Sequence, residues 1–255
     1  MALGLSGRRV LIAGGTRGIG GATARLLAAE GCVLALCGRN EDDVRAAVRD
    51  TDAHVFGRTV DVTSPGAVEE FVTQAAEELE GLDGVVACAG TARGRGLGEA
   101  TAEDWSATWE ANAGYSARLL AVAAPHLRAS SSGSAVLVSS ISGWKPGPQA
   151  QYGAAKAAQI HMAASLAREL GPDGVRVNAV SPGSTLVPGK RWDRMRTQQP
   201  QDFAVFAREF PQQRLVQPEE VAEVIAFLLS DRSSGISGAN IPVDRAQNAP
   251  TPDGY

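Results

Sequence analysis

The chain has 255 residues, of which 44% are hydrophobic and 20% charged, and its formal net charge is −4 at pH 7. This composition is ordinary for a soluble protein, and the acidic balance argues against nucleic acid as the main partner. No apolar run approaches the roughly 20 residues needed to cross a bilayer, and the length suits one large α/β domain or two small ones.

The first half of the chain alternates short apolar runs with longer amphipathic ones. "RRVLIAG" predicts a first strand, and "GIGGATARLLAAEG" predicts a helix that ends at Gly31. "CVLALCG" predicts a second strand, and "NEDDVRAAVRD" a helix with Asn40 as its N-cap and acids in its first turn. "AHVFGRTVDV" predicts a third strand, and Ser64-Pro65 is a typical start for the helix in "SPGAVEEFVTQAAEELEG".

The second half continues the alternation. "LDGVVACAG" predicts a fourth strand, residues from about Ala102 to Ala129 a long helix, and "SAVLVSS" a fifth strand. A helix around Tyr152, a sixth strand in "GVRVNAVSPG", an irregular stretch, a helix in "PEEVAEVIAFLLSD" and a last strand in "GANIPVD" follow. Apolar strands that alternate with helices predict a single α/β domain, a parallel sheet covered on both faces, which binds ligands at the carboxyl ends of its strands.

The stretch "AGGTRGIGG" lies where the first strand meets the first helix. Gly14, Gly18 and Gly20 allow a tight turn and a close approach to a pyrophosphate at the positive end of that helix. The spacing differs from the usual dinucleotide fingerprint, but the position between a strand and a helix favours a dinucleotide site.

The end of the second strand indicates which dinucleotide would bind. An acid there would hydrogen-bond the adenosine ribose and favour NAD, but this chain reads "CGRN", with Gly38 and Arg39. Arg17 in the glycine turn can reach the same region, and two guanidinium groups near a 2′-phosphate favour NADP(H). The alternative is that both are ordinary surface arginines. Asp61, at the end of the third strand, is a candidate for contacting the adenine edge.

The stretch "QYGAAKAAQI" places Tyr152 and Lys156 four residues apart in an alanine-rich run. At that spacing the phenol and the amine share one face of a helix. Taken alone, the pair is also typical of a solvated helix face, so its meaning depends on the rest of the chain.

The order and spacing of "VLIAGGTRGIG", "YGAAK", "VNAVSPG" and "ISGANIPVD" resemble the short-chain dehydrogenase/reductase family, including its 3-oxoacyl-[acyl-carrier-protein] reductase-like members, over nearly the whole chain. The resemblance implies one Rossmann-type domain over residues 1–255, a doubly wound parallel sheet in three α/β/α layers. It also implies a cytoplasmic homotetramer or homodimer. The implied catalytic residues are Asn112, a serine, Tyr152 and Lys156. The implied cofactor-binding residues are Gly14, Thr16, Arg17, Gly18, Ile19, Gly20, Arg39, Asp61, Val62, Ala89, Gly90, Tyr152, Lys156, Pro182 and Gly183.

The catalytic serine has two candidates in "VLVSSISG". Counting back thirteen residues from Tyr152, the commoner family spacing, gives Ser139. Aligning the serine that lies three residues before Gly143 gives Ser140. We expect Ser140, because the local pattern fixes the strand end, whereas the following loop can shorten by one residue.

The resemblance gives the tyrosine and lysine a chemical role. A free phenol has a pKa of about 10, and a nearby ammonium favours the phenolate and lowers that pKa. Tyr152 would then be the general acid in ketone reduction, while Lys156 lowers its pKa and holds the nicotinamide ribose. Ser140 would hydrogen-bond the carbonyl oxygen, and Asn112 would position a water that relays protons to Lys156. The Pro182–Gly183 turn would face the nicotinamide.

The chain departs from the family pattern at Ala13, where the family often has threonine, and at "ACAG" (Ala87 to Gly90), where the family has "NNAG". A third departure and the lid bear on the substrate and the assembly. Near the C-terminus the common "VDGG" reads "VDRA", and Arg245 is expected in solvent unless it faces a subunit interface or the substrate mouth. Residues 184–215 should form a substrate lid. It is either an amphipathic helical hairpin with solvated charges or an apolar pocket rimmed by cations. Its cations and aromatics are Lys190, Arg191, Arg194, Arg196, Arg208, Trp192, Phe203, Phe206 and Phe210.

Together these features predict an NADP(H)-dependent oxidoreductase that reduces a 3-oxoacyl thioester or another small ketone. The alternatives are an NAD-dependent alcohol dehydrogenase of the same family and an inactive nucleotide-sensing protein. Three cysteines in apolar contexts predict free thiols in a reducing cytosol, and three scattered histidines predict no metal site.

Overall fold

Seven short strands form one parallel sheet in the computed structural model, which describes residues 3–51 and 53–249. The strand order is β3-β2-β1-β4-β5-β6-β7, and each neighbouring pair is parallel. The strands are β1 (Arg9–Ala13), β2 (Val33–Gly38), β3 (Val55–Thr59), β4 (Gly84–Ala87), β5 (Ser134–Val138), β6 (Arg176–Pro182) and β7 (Asn240–Val243). Because the order runs outward from β1 in both directions, a crevice opens at the carboxyl ends beside β1 and β4.

In the described part of the chain, ten α-helices connect and follow the strands. They are α1 (Gly18–Ala29), α2 (Glu41–Arg49), α3 (Ala67–Glu78), α4 (Gly96–Glu99), α5 (Ala102–Trp109), α6 (Tyr115–Ala129), α7 (Ala150–Leu170), α8 (Arg191–Gln198), α9 (Pro200–Ala207) and α10 (Pro218–Leu229). No helix in the described part of the chain has the length and apolar character that a membrane span requires.

The sheet is covered on both faces, as the sequence predicts. Alternate residues of β1 point to opposite sides, so Leu11 packs with α3, α6 and α7, whereas Ile12 packs with α1 and α10. Both strand residues are fully buried. The prediction of a doubly wound parallel sheet in three layers is therefore confirmed.

Two predicted helix starts have different outcomes. Asn40 caps α2 as predicted, because its side chain accepts a hydrogen bond of 2.8 Å from the backbone N–H of Asp43. The predicted start at Ser64-Pro65 is wrong, since α3 begins at Ala67. Gly66 adopts a left-handed conformation with φ of 76°, which turns the chain before the helix can begin.

The long helix predicted from Ala102 to Ala129 is interrupted. Between α5 and α6 the chain forms one π-helical turn, Glu110–Gly114, in which the hydrogen bonds span an additional residue. Asn112 lies in this turn and is fully buried. From this turn the Asn112 side-chain amide donates hydrogen bonds to the carbonyls of Thr91, after β4, and Thr108 of α5.

The segment predicted as a lid contains the two short helices α8 and α9. Trp192 and Phe206 stack with their ring centroids 4.0 Å apart, and Phe210 packs edge-on against Phe206 and is fully buried. The lid cations are exposed. This arrangement is the amphipathic hairpin, with aromatic rings turned inward and charges turned toward solvent.

Candidate active site

A cleft of about 860 Å³ lies at the carboxyl ends of the central strands. It is bounded by the glycine turn after β1, the loop after β5, the start of α7 and the turn after β6. The predicted site residues that line it are Gly14, Arg17, Ile19, Gly20, Gly90, Ser140, Tyr152, Lys156, Pro182 and Gly183. The fold thus brings together both the predicted dinucleotide turn and the predicted catalytic tyrosine and lysine.

The glycine turn has room only for glycine. A Cβ on Gly14 would lie 2.7 Å from the backbone nitrogen of Ala89, and one on Gly20 would lie 2.0 Å from the carbonyl oxygen of Gly14. Gly18 has a left-handed φ of 58°. The side chain at the N-cap, Arg17, makes no capping hydrogen bond, and Ile19 and Gly20 in the first turn of α1 line the cleft, so this helix end can bind an anion. The turn fits the pyrophosphate of a dinucleotide.

The end of β2 carries no acid, as the sequence predicts. A Cβ on Gly38 would lie 2.7 Å from the Thr16 hydroxyl oxygen, so Thr16 packs directly on this strand end. Arg39 is exposed, and Arg17 is also exposed but forms an ion pair of 3.1 Å with Asp43 of α2. Two guanidinium groups therefore lie near the strand end, one of them already paired.

Asp61 and Val62 follow β3. Partial burial raises the pKa of Asp61, but hydrogen bonds from Thr63 and the positive charges of Arg39 and Arg93 outweigh it, so the pKa lies below its ordinary value. Val62 is buried, and its carbonyl accepts a hydrogen bond of 3.0 Å from Arg118.

Tyr152 lies in the first turn of α7 and is partly buried. Burial raises its pKa, and a hydrogen bond with the Ser140 hydroxyl offsets part of that rise. The Lys156 ammonium lies 5.5 Å from the centre of the phenol ring, above its face. The expected lowering of the Tyr152 pKa is therefore wrong for this structure, because desolvation outweighs the favourable interactions.

The two candidate serines have different surroundings. The Ser139 side chain is buried and donates a hydrogen bond of 2.8 Å to the carbonyl of Lys156. The Ser140 oxygen accepts a bond of 3.1 Å from the backbone of Ser142, and the same hydroxyl contacts the Tyr152 phenol. The serine adjacent to the phenol is thus Ser140, whereas Ser139 stabilises the backbone of α7.

Lys156 is buried, with only 3% of its surface exposed. Its Nζ donates hydrogen bonds of 2.9 Å to the carbonyl of Val138 and of 2.9 Å to Gln159. Burial lowers the pKa of Lys156 to about 8, against a smaller opposing effect of Cys88. The charge on this amine is therefore sensitive to small changes around it.

Asn112 does not line the cleft wall, but one of its atoms points toward it. Its Nδ2 donates bonds of 2.7 Å to the carbonyls of Thr91 and Thr108, while its buried Oδ1 has no partner in the described chain. The point that a Cβ of Gly90 would occupy lies 2.8 Å from this Oδ1 and 3.2 Å from the Lys156 Nζ. Because glycine keeps that point free of side-chain atoms, a hydroxyl or water there could bridge the two groups.

Gln159 is a fully buried residue of this site that sequence reasoning missed. It accepts from Lys156, and its Nε2 donates bonds of 3.2 Å to the carbonyl of Asn112 and 2.9 Å to the hydroxyl of Ser116. A signal for it was present, because a glutamine three residues after the lysine shares its helix face in an otherwise alanine-rich run.

Arg118 of α6 was also missed. It forms ion pairs of 3.1 Å with Glu69 of α3 and 2.5 Å with Glu110 of the π turn, and it donates to the carbonyl of Val62. These contacts fix the π turn relative to the end of β3, and nothing in the local sequence points to them.

Arg245 does not face solvent, which corrects the expectation for it. Its side chain is only 12% exposed and its Nε donates a bond of 2.9 Å to Glu220 at the start of α10.

The lid cations differ from one another in their contacts. Arg191 lines the cleft and stacks over Trp192, whereas Arg196 pairs with Asp193. No cluster of three or more His, Cys, Asp or Glu side chains among the described residues could hold a metal ion.

Comparisons with known proteins match the chain over most of its length. The profile of the family described as Enoyl-(Acyl carrier protein) reductase matches residues 13–245. Isoepoxydon dehydrogenase patN of Aspergillus clavatus is 32% identical over 252 residues, which cover 96% of this chain and 96% of that protein. The 3-oxoacyl-[acyl-carrier-protein] reductase MabA of Mycobacterium tuberculosis is 36% identical over 239 residues, 93% of this chain and 91% of that protein.

A solved structure is similar over the whole fold. The crystal structure of levodione reductase superimposes with a TM-score of 0.88 at 31% identity and covers 96% of this chain and 99% of that one.

Proposed function

The chain belongs to the short-chain dehydrogenase/reductase family of oxidoreductases, and we propose that it uses NADP(H) to reduce a ketone to a secondary alcohol. This proposal rests on one observation. Tyr152, Ser140 and Lys156 line the same cleft as the glycine turn. A dinucleotide bound at that turn would extend toward Tyr152 and Ser140.

The nicotinamide cofactor supplies the hydride when it is bound. Gly14, Gly18 and Gly20 would hold its pyrophosphate, Lys156 would hold the nicotinamide ribose, and the Pro182–Gly183 turn would face the ring.

Tyr152 acts as the general acid and transfers its phenolic proton to the carbonyl oxygen of the substrate. Burial raises the pKa of Tyr152, so the phenol is protonated at neutral pH and has a proton to donate. Ser140 donates a hydrogen bond to the same oxygen and stabilises its growing negative charge. Lys156 and Asn112 flank one point beside Gly90, where a water would return a proton toward Tyr152.

The preference for NADP(H) rests on Arg39 and Arg17. Both lie near the end of β2, where Gly38 removes the acid that would favour NAD. Replacing Arg39 with Asp should lower the ratio of NADPH to NADH affinity by at least about tenfold, because a charge-assisted bond is replaced by repulsion. Fluorescence titration with both cofactors measures this ratio. An unchanged ratio would show that the cofactor assignment is wrong.

The substrate is a small ketone, with a 3-oxoacyl thioester first and a cyclic or other biosynthetic ketone close behind. The relative named for 3-oxoacyl reduction supports the thioester, and the relatives named for isoepoxydon and levodione support a compact ketone. Trp144 and Trp192 line the cleft, and Arg191 lies at its edge, so an apolar body with a polar or anionic end would fit.

The function is tested by NADPH consumption against a panel that contains a 3-oxoacyl thioester and a cyclic diketone, with Tyr152→Phe as the matched variant. The phenylalanine keeps the ring but has no proton to donate, so turnover should fall at least about a hundredfold while NADPH affinity stays nearly unchanged. Equal turnover in the variant would refute the role of Tyr152. Tight NADPH binding without turnover on any ketone would favour the nucleotide-sensing alternative.

The working form is proposed to be a homotetramer or homodimer, with α7 as the packing face. Small molecules, rather than nucleic acids or membranes, are its proposed partners. Cys32, Cys37 and Cys88 are free thiols, which suits the reducing cytosol expected from the sequence.

A further inference from the structure

The chain makes a tight turn after β7, where the sequence departs from the family pattern. Arg245 and Ala246 both adopt left-handed conformations, with φ of 50° and 61°. The backbone of Gln247 donates a bond of 2.9 Å to the carbonyl of Asp244, which closes the turn. Two consecutive left-handed residues that are not glycine persist only where other contacts hold them. Here the bond from Arg245 to Glu220 of α10 does so.

This turn inserts the Gln247 side chain into the cleft wall. Only 7% of Gln247 is exposed, and its Oε1 accepts a bond of 2.8 Å from the backbone N–H of Ser184. Its Nε2 donates bonds of 3.1 Å to the Ser184 hydroxyl and 3.0 Å to Glu209. A Cβ on Gly183 would lie 2.8 Å from the same Oε1, so this approach requires the glycine.

Glu209 extends these contacts across the mouth of the cleft. Located just after α9 of the lid, it also lies 3.4 Å from the Nζ of Lys145 in the loop after β5. Lys145 in turn donates a bond of 3.1 Å to the carbonyl of Gln247. The Gln247 side chain therefore joins the C-terminal turn to the turn after β6 and to the end of the lid. Its backbone carbonyl also binds Lys145 in the loop after β5.

We propose that Gln247 is a positioning residue that fixes the Gly183–Ser184 turn toward the nicotinamide end of the cofactor and couples this turn to the lid. The inference rests on the proposed function, because it concerns the nicotinamide half of the bound dinucleotide. An amide is suited to this task, since it accepts from a backbone N–H and donates to a carboxylate at the same time.

The test compares the binding of NADPH with that of 2′-phospho-ADP-ribose, which lacks the nicotinamide ring, by calorimetry. In Gln247→Leu the side chain fills a similar volume without hydrogen bonds. NADPH affinity should fall about tenfold, while the affinity for the ring-lacking analogue stays within about twofold. If the wild type binds NADH instead, NADH and ADP-ribose replace this pair.

A charge swap supplies the matched control. Gln247→Glu places a second carboxylate against Glu209 and should weaken NADPH binding at least as much as the leucine variant. Adding Glu209→Gln again places one amide and one carboxylate next to each other, now with the carboxylate at position 247. The double variant should therefore recover most of the lost NADPH affinity. This comparison decides the question if the leucine variant does not fold.

The proposal is overturned if Gln247→Leu loses affinity equally for both ligands or for neither, or if the double variant binds NADPH no better than Gln247→Glu. A wild type that binds neither dinucleotide overturns the proposed function as well, so the two failures are distinct.

Discussion

At the scale of single residues, burying the charge of Lys156 carries a large electrostatic cost. It is almost completely buried, and burial lowers its pKa from the ordinary value of 10.5 to about 8. Between these two values the unfolded chain binds a proton that the folded protein does not. The cost of burying the charge is therefore fully present below about pH 8 and is relieved as the pH rises toward 10.5.

Replacing Lys156 with Met, an unbranched side chain that is one atom shorter and carries no charge, should remove this dependence. The wild type should gain up to about 3 kcal/mol in free energy of unfolding relative to the variant between about pH 8 and about pH 10.5. Urea unfolding of both proteins across that range measures the difference. Titrating groups that do not interact with Lys156 shift both proteins alike, so curves that stay parallel would contradict the lowered pKa of Lys156.

The site residues that can be predicted from the sequence are those that lie within a single helix or turn. Tyr152 and Lys156 share a helix face, and Gly14, Gly18 and Gly20 lie in one turn, so their local pattern contains their arrangement. The direction of the Tyr152 pKa could not be predicted in this way, because it depends on how much water the folded cleft excludes. Arg118, likewise, reaches its partners only after distant helices have packed.

At the scale of elements, the glycine turn between β1 and α1 has the least space for an added side-chain atom. Replacing Gly20 with Ala would place a Cβ 2.0 Å from the Gly14 carbonyl oxygen, so the turn must open. We expect NADPH affinity to fall at least about tenfold, because the N–H groups that face the pyrophosphate move with the turn. Fluorescence titration of NADPH measures the loss.

Gly235 supplies the control for this substitution. A Cβ there would meet no atom within 4 Å, and its φ is not left-handed, so Gly235→Ala should bind NADPH like the wild type. If Gly20→Ala also binds like the wild type, the turn does not hold the cofactor.

Element boundaries show the limits of sequence reasoning at this scale. The run from Ala102 to Ala129 has the composition of one helix, and its residues do form nearly continuous helix. The π turn at Glu110–Gly114 places Asn112 against the carbonyl of Thr91 and Glu110 against Arg118, and both partners lie outside the turn. Local propensity does not contain that information.

At the scale of the whole molecule, alternation of apolar strands and helices is sufficient to predict the architecture. The central strands β1, β2, β4 and β5 are buried on both sides, so their sequences are almost entirely apolar, and a sheet between two helix layers buries them that way. The inner face of α7 is buried in the same way, because it packs into the core on one side of the sheet. Its outer face is different, because exposed positions such as Ala154, His161 and Ala164 recur at helical spacing with few charges.

The proposed oligomer places this outer face of α7 against a second copy of the chain. Replacing Ala164 with Arg would put a long charged side chain in the centre of that contact, where small residues allow two helices to approach closely. We expect the mass in solution, measured by light scattering, to fall toward the 26.4 kDa of one chain. Ala204→Arg is the matched control, because Ala204 is an exposed alanine of the lid helix α9. A wild type that is already monomeric would refute the oligomer, and an Ala164→Arg protein that keeps the wild-type mass would move the contact to another face.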